Sequence, residues 1–235
     1  MRGLLFDKDG TLLDFQQSWS RAYRDLCAEL CEGDADAASA MLSMGGMDVA
    51  TGHCRSGSVL AAGNTIDIAT LWYPALSGAH LSAMVERIDR AFYENGIRYS
   101  VMVPGVPETL ARLAAEGFVM GVATSDGTAA TKAGLAALGI AHHLPHVFGY
   151  DSVARPKPAP DIVHRFCAAI TAEPRDVAVI GDNAHDLEMA RSAGAGAAIG
   201  VLSGNSGAAD LAPLADVVLD SIRDLPGWLA AQPSG

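Results

Sequence analysis

The chain opens on a short run of apolar positions, Gly3-Leu4-Leu5-Phe6, that is continuous rather than alternating and ends abruptly in Asp7-Lys8-Asp9-Gly10-Thr11. A continuous apolar run bounded this sharply reads as a strand buried on both faces. From residue 16 to residue 45 the pattern turns helical, and Trp19, Tyr23, Leu26 and Leu30 recur at three- and four-residue spacing along one apolar stripe. Repeated glycines break that pattern between residues 45 and 63, where Asp48 to Ala62 predicts a small hairpin. Helical spacing returns over 65–73 and 81–95, and Gly96 predicts the stop.

The stretch Val103-Pro104-Gly105-Val106-Pro107 punctuates the chain, and beyond it the texture changes. Helical segments now alternate with short apolar runs at Phe118–Ala123, His146–Gly149, Val177–Gly181, Ala197–Leu202 and Val217–Leu219. Alternation at this period predicts an α/β fold, a Rossmann-like parallel sheet covered by helices. The opening strand belongs to the same sheet, because alone it buries neither face. Residues 1–14 and 101–235 therefore form the expected core, and residues 15–100 a helical cap inserted after the first strand.

Composition narrows the function classes. Half of the 235 residues are hydrophobic, which fits a folded chain with a sizeable core. A net charge of −11 argues against binding a nucleic-acid backbone. No apolar run approaches the roughly 18 residues that cross a bilayer, and charges interrupt the opening stretch where a signal peptide would be apolar. The expectation is a cytoplasmic protein, monomeric or homodimeric, with no membrane or nucleic-acid partner. The four cysteines form no Cys-x-x-Cys pair. Cys27, Cys31, His53 and Cys54 read better as ordinary buried or loop residues than as a zinc site.

Candidate chemistry enters at strand ends, where parallel sheets bind ligands. Asp7 and Asp9 follow the first strand. The second ends in Thr124-Ser125-Asp126-Gly127, a hydroxyl and backbone N–H groups at a strand-to-helix turn suited to phosphate. Lys157 stands in a proline frame, Arg155-Pro156-Lys157-Pro158-Ala159-Pro160, just before a helix. A later strand ends in Gly181-Asp182-Asn183-Ala184-His185-Asp186, whose two acids are spaced to share one face of a beginning helix. Carboxylates in this number supply the hard oxygen ligands that suit Mg²⁺.

These four motifs, in this order, resemble those of phosphatases of the haloacid dehalogenase superfamily that carry a helical cap, with an organisation similar to phosphoglycolate phosphatases. The resemblance runs from residue 7 to residue 186. It implies that Asp7 attacks phosphorus and that Asp9 protonates the leaving group and later deprotonates water. Thr124, with Ser125 and nearby backbone N–H groups, would bind the phosphoryl oxygens, and Lys157 would neutralise charge on Asp7 and the phosphoryl group. Mg²⁺ would be held by Asp7, the backbone carbonyl of Asp9, Asp182 and Asp186, the last either through water or by orienting Asp182 and Lys157. The substrate would be a small phosphorylated metabolite, and Arg21, Arg24 and Arg55 are the cap cations to consider for a substrate carboxylate, Arg55 above all. One departure stands out, Ser125-Asp126 where the family commonly has asparagine after its threonine or serine.

Rival readings are weaker. A phosphonate-cleaving relative needs a cap lysine, and residues 15–100 contain none. An ion-pumping ATPase needs a membrane span and has threonine in place of Asp9. A dehalogenase has no use for Asp9 and Asp182. An EF-hand would need a Glu where Ser18 stands. A phosphomutase shares both aspartates and stays open, as does a non-catalytic binding module on the same fold. His142, His143 and His146 read as loop residues rather than metal ligands, His185 as a neighbour of the site rather than a catalyst, and Lys8 as a position whose backbone matters more than its charge.

Overall fold

The computed structural model describes residues 1–232. Six parallel strands form one sheet in the order β3-β2-β1-β4-β5-β6. They are β1 (Gly3–Phe6), β2 (Val119–Ala123), β3 (His146–Phe148), β4 (Val177–Gly181), β5 (Ala197–Val201) and β6 (Val217–Leu219). β1, β4 and β5 are buried at every position, as their unbroken apolar runs require. Side chains still divide between two faces with period two. Leu4 and Phe6 join a core with Val106, Leu110, Leu113 and Leu135, while Leu5 joins a second with Ile162, Phe166 and Leu187.

The helices in chain order are α1 (Phe15–Leu30), α2 (Ala35–Gly45), α3 (Val59–Ala62), α4 (Thr65–Trp72), α5 (Gly78–Tyr99), α6 (Val106–Ala115), α7 (Thr128–Ala137), α8 (Asp161–Ile170), α9 (Ala184–Ala193), α10 (Ala208–Leu211) and α11 (Leu225–Ala230). Helices α1 to α5 pack around a separate core that contains Trp19, Tyr23, Leu26, Trp72, Ile88 and Phe92. The rings of Trp19 and Tyr23 stack at 5.1 Å, and Phe92 meets both edge-on. The chain enters and leaves this helical unit side by side, with the Asp14 N–H donating to Val101 O at 2.8 Å and the Val103 N–H to Leu12 O at 3.0 Å.

Three local expectations fail. The helical pattern of 16–45 is two helices, because Glu32 and Gly33 adopt positive φ of 52° and 86° and Asp34 caps a new start. Residues 48–62 form no hairpin beyond a single Met47–Cys54 bridge and instead end in α3. Gly96 does not stop α5, which runs on to Tyr99, because this glycine lies in a helical conformation with open space around it.

Candidate active site

β1 is where the strand order reverses: β2 lies on one side of it and β4 on the other. The ends of such neighbouring strands diverge and leave a crevice. Asp7 follows β1, Thr124 follows β2 and Asp182 follows β4, so three sequence-distant motifs meet there. Asp7 is fixed by its own backbone, whose N–H donates to Ile180 O of β4 at 2.7 Å.

Lys157 reaches this crevice from the loop before α8, and its side chain is only 3% exposed. Its Nζ donates to Asp7 Oδ1 at 2.6 Å and to Asp186 Oδ1 at 2.5 Å. Burial alone would push the lysine down, but Asp186 and Asp7 more than offset it and hold the ammonium well above its usual range. Asp186 sits in the first turn of α9, where its other oxygen accepts the Asn183 N–H at 3.2 Å. That capping bond aims Asp186 at Lys157. Asp182 precedes α9, in the turn after β4, so the two acids converge from a turn and a helix rather than along one helix face.

Asp182 is gripped from both sides. The Asn205 N–H donates to its Oδ2 at 2.9 Å. Gly10 has φ +87°, and a Cβ there would stand 2.5 Å from the Asp182 carboxylate. A Cβ on Gly204 would also strike it. Oxygen atoms of Asp7, Asp182 and Asp186 all lie within 4.8 Å of one another, and all three residues are buried. Burial and the mutual repulsion of these carboxylates raise Asp182 to about 7. Asp7 is raised well above the carboxylate range by burial, against the pull of Lys157. An all-carboxylate donor set with this excess of negative charge fits a hard divalent cation. Asp9 is absent from that group of oxygens, and its side chain lines the pocket instead.

Asp9 depends on Lys8, which the sequence suggested as a position whose backbone matters more than its charge. Lys8, 6% exposed, places its Nζ 2.6 Å from Asp9 Oδ2 and 2.7 Å from Asp126 Oδ2. The charge of Lys8, not its backbone alone, therefore matters. Burial disfavours that charge, but Asp126 and Asp9 raise the lysine above its usual range. The same ammonium lies 5.1 Å from the Trp19 ring centroid. Asp126, lifted to about 6 chiefly by burial, is thus the partner that accommodates Lys8. The signal was present in the sequence as an unusual acid in the second motif. Asp9 Oδ1 is buried with no hydrogen-bond partner.

The remaining candidates divide. Thr124 is buried, and its Oγ1 accepts the Asp126 N–H at 3.1 Å, leaving its own proton to donate. Ser125 lines the pocket, but its hydroxyl donates to Ala62 O at 3.3 Å. Arg55 is not at the pocket: it is exposed and lines a different groove with Asp48 and His53, because the loop after α2 turns it outward. Arg24 donates to Val49 O at 2.6 Å, and Arg21 packs on the Tyr99 ring. His185 does line the pocket, with its Nδ1 buried and unpartnered. Cys27, Cys31, His53 and Cys54 make no metal-holding group among the described residues.

Comparison with known proteins now fits this geometry. Residues 1–194 match the sequence model of the haloacid dehalogenase-like hydrolases. The chain belongs to that family. This hydrolase is 31% identical over 207 residues to the "Probable phosphatase IndB" of Dickeya dadantii (strain 3937), covering 86% of this chain and 81% of that one. It is 30% identical over 227 residues to a phosphoglycolate phosphatase of Yersinia pseudotuberculosis serotype I (strain IP32953), covering 96% and 91%. Its fold is that of a hydrolase from Pseudomonas syringae, with TM-score 0.72, 22% identity and 99% of both chains covered. It is also that of CbbY from Rhodobacter sphaeroides in complex with phosphate, with TM-score 0.70, 21% identity and 96% of both chains covered. Among the described residues of this hydrolase, no helix is long and apolar enough to cross a membrane.

Proposed function

We propose that this hydrolase is a Mg²⁺-dependent phosphatase of a small phosphomonoester, working through an aspartyl-phosphate on Asp7. The observation that carries this reading is the pairing of two unlike carboxylates at one strand end. Asp7 is ion-paired to buried Lys157 within an all-carboxylate cluster, while Asp9 offers an unpartnered oxygen outside that cluster.

In the first step a carboxylate oxygen of Asp7 bonds to phosphorus, the phosphorus–ester oxygen bond breaks, and Asp9 gives its proton to the departing alkoxide. In the second step Asp9 takes a proton from water. The hydroxide bonds to phosphorus, the acyl-phosphate bond breaks, and Asp7 and inorganic phosphate are released. Lys157 holds Asp7 in line and balances charge on the phosphoryl group. Thr124 donates its hydroxyl proton to a phosphoryl oxygen, and Asp186 keeps Lys157 aimed. The residues that would hold the ion are Asp7, the backbone carbonyl of Asp9, Asp182 and Asp186. When bound, Mg²⁺ neutralises the approach of an anionic nucleophile to an anionic ester. Holding Asp9 by its carbonyl leaves its carboxyl free to carry a proton.

The experiment is a phosphoester panel with and without Mg²⁺, followed by phosphate release. Asp7→Asn is expected to lower turnover about 1,000-fold or more while the protein stays folded, since no nucleophile remains. Full activity of that variant would end the proposal. Isomerisation of a sugar phosphate in place of phosphate release would make the protein a mutase, and no turnover of any ester would favour a binding module.

A further inference from the structure

The relatives named phosphoglycolate phosphatase suggest a leaving group that carries a carboxylate. The pocket of this chain is built for something else. The wall contributed by the helical unit consists of Phe15, Trp19 and Tyr23 from α1, Leu60, Ala61 and Ala62 from α3, and Gly63 just after it. None of these side chains is cationic. The Trp19 and Tyr23 rings are held rigidly, stacked on each other and backed by Phe92. The Tyr23 hydroxyl is already committed, donating to Leu60 O at 2.7 Å.

Every cation of the helical unit that the sequence offered for a carboxylate is held elsewhere. Arg24 is tied to Val49 O, Arg21 lies on Tyr99, and Arg55 faces another groove. On the opposite wall the carboxylates are Asp7, Asp9, Asp126, Asp182 and Asp186 against Lys157, with Lys8 directly behind, and the His185 imidazole lines the pocket beside them. Each lysine is already paired with two carboxylates. Even with a divalent ion bound, these groups leave no positive charge for a second anion. A carboxylate pressed against the aromatic wall would lose its hydration with no cationic partner on that wall to replace it.

We propose that the leaving group is an uncharged alcohol that lays an apolar or aromatic face on Trp19, Tyr23 and Leu60, and that esters with a second anionic group are poor substrates. This rests on the phosphatase reading above and deepens it. Trp19 is then a specificity-determining residue that also caps Lys8, so the ring that reads the leaving group is the one against which the Asp9 partner is packed.

The test compares kcat/KM for three esters in the full-length protein with Mg²⁺: 2-phosphoglycolate, 2-hydroxyethyl phosphate and phenyl phosphate. The first two differ chiefly in carboxylate against hydroxymethyl. Both neutral-alcohol esters are expected to exceed 2-phosphoglycolate by about tenfold or more, the size of one missing charge-assisted hydrogen bond. In Ala61→Arg, which adds a cation to the wall outside the catalytic residues, the ratio is expected to move about tenfold toward 2-phosphoglycolate. A preference of the unaltered protein for 2-phosphoglycolate overturns the proposal while leaving the phosphatase standing. A ratio unmoved in a folded Ala61→Arg protein also overturns it, because the wall would then not face the leaving group. Failure of all three esters overturns this proposal, and failure of the whole phosphoester panel overturns the phosphatase reading with it.

Discussion

Lys157 and Lys8 meet the same electrostatic problem on opposite sides of the end of β1. Each is buried, and each joins one aspartate of the opening motif to one from a distant strand end. Lys157 bridges Asp7 to Asp186, and Lys8 bridges Asp9 to Asp126. The difference lies in what surrounds the carboxylates. Those of Lys157 belong to the group whose oxygens converge within 4.8 Å, whereas those of Lys8 do not, and the Lys8 ammonium itself lies over the Trp19 ring. On the proposed mechanism, one lysine thus serves a site that must also take a metal, and the other holds an acid whose oxygen must stay free for protons. On that reading, nucleophile and acid/base are kept apart because each has its own cation.

Removing each cation in turn tests that division. Lys157→Met leaves Asp7 and Asp186 buried without a partner. It is expected to lower turnover about 100- to 1,000-fold and to destabilise the fold by about 3–5 kcal/mol, read by phosphate release and urea unfolding. Lys8→Met exposes a weaker liability, because the Asp9 and Asp126 side chains are 15% and 18% exposed. A loss of about 1–3 kcal/mol and about 10- to 100-fold in turnover is expected. Equal losses in both variants would erase the distinction between the two lysines.

The metal separates the halves next. Asp182 is near 7 and Asp126 near 6 in the folded protein, both above an ordinary carboxylate. The folded state therefore binds more protons than the unfolded one between about pH 4 and pH 7, and stability falls as pH rises through that window. On the proposed reading Mg²⁺ would bind the deprotonated cluster, so it should recover the loss on the Asp182 side and leave the Asp126 side untouched. Thermal unfolding against pH is expected to decline steeply without Mg²⁺ and shallowly with it. Asp182→Asn should flatten the metal-free curve and abolish the Mg²⁺ response. Retention of that response would remove Asp182 from the ligand set.

What was legible in the sequence follows the same line. The strands after residue 100 were readable because each is an apolar run closed by a turn, and β4 and β6 fall where the pattern places them. Asp7, Thr124, Lys157 and Asp182 were readable because strand ends and proline frames are local signals. The role of Lys8 was not, since it depends on Asp126, more than a hundred residues away, and on a ring from α1. The cap arginines failed for a related reason. A charge count says that Arg55 exists, but only the path of the loop after α2 says which groove it faces. Gly96 misled because a glycine stops a helix only where the chain needs positive φ, and here it keeps helical geometry.

The smallest effect is the most informative about the Lys8 half. Asp126→Asn keeps an oxygen for Lys8 but removes one of its two charges. With Lys8 present, the lysine loses a favourable pair while the site loses a costly buried carboxylate, and the two nearly cancel. A change within about 1 kcal/mol is expected. In a Lys8→Met background the balance tips, because Asp126 then only repels Asp9 and has no cation to stabilise it. There Asp126→Asn is expected to raise stability, by about 1 kcal/mol. The cycle thus predicts a shift between backgrounds, from neutral to stabilising, measurable as urea midpoints of four proteins. If Asp126→Asn has the same effect with and without Lys8, the two residues are uncoupled, and Asp9 is held by something other than their bridge.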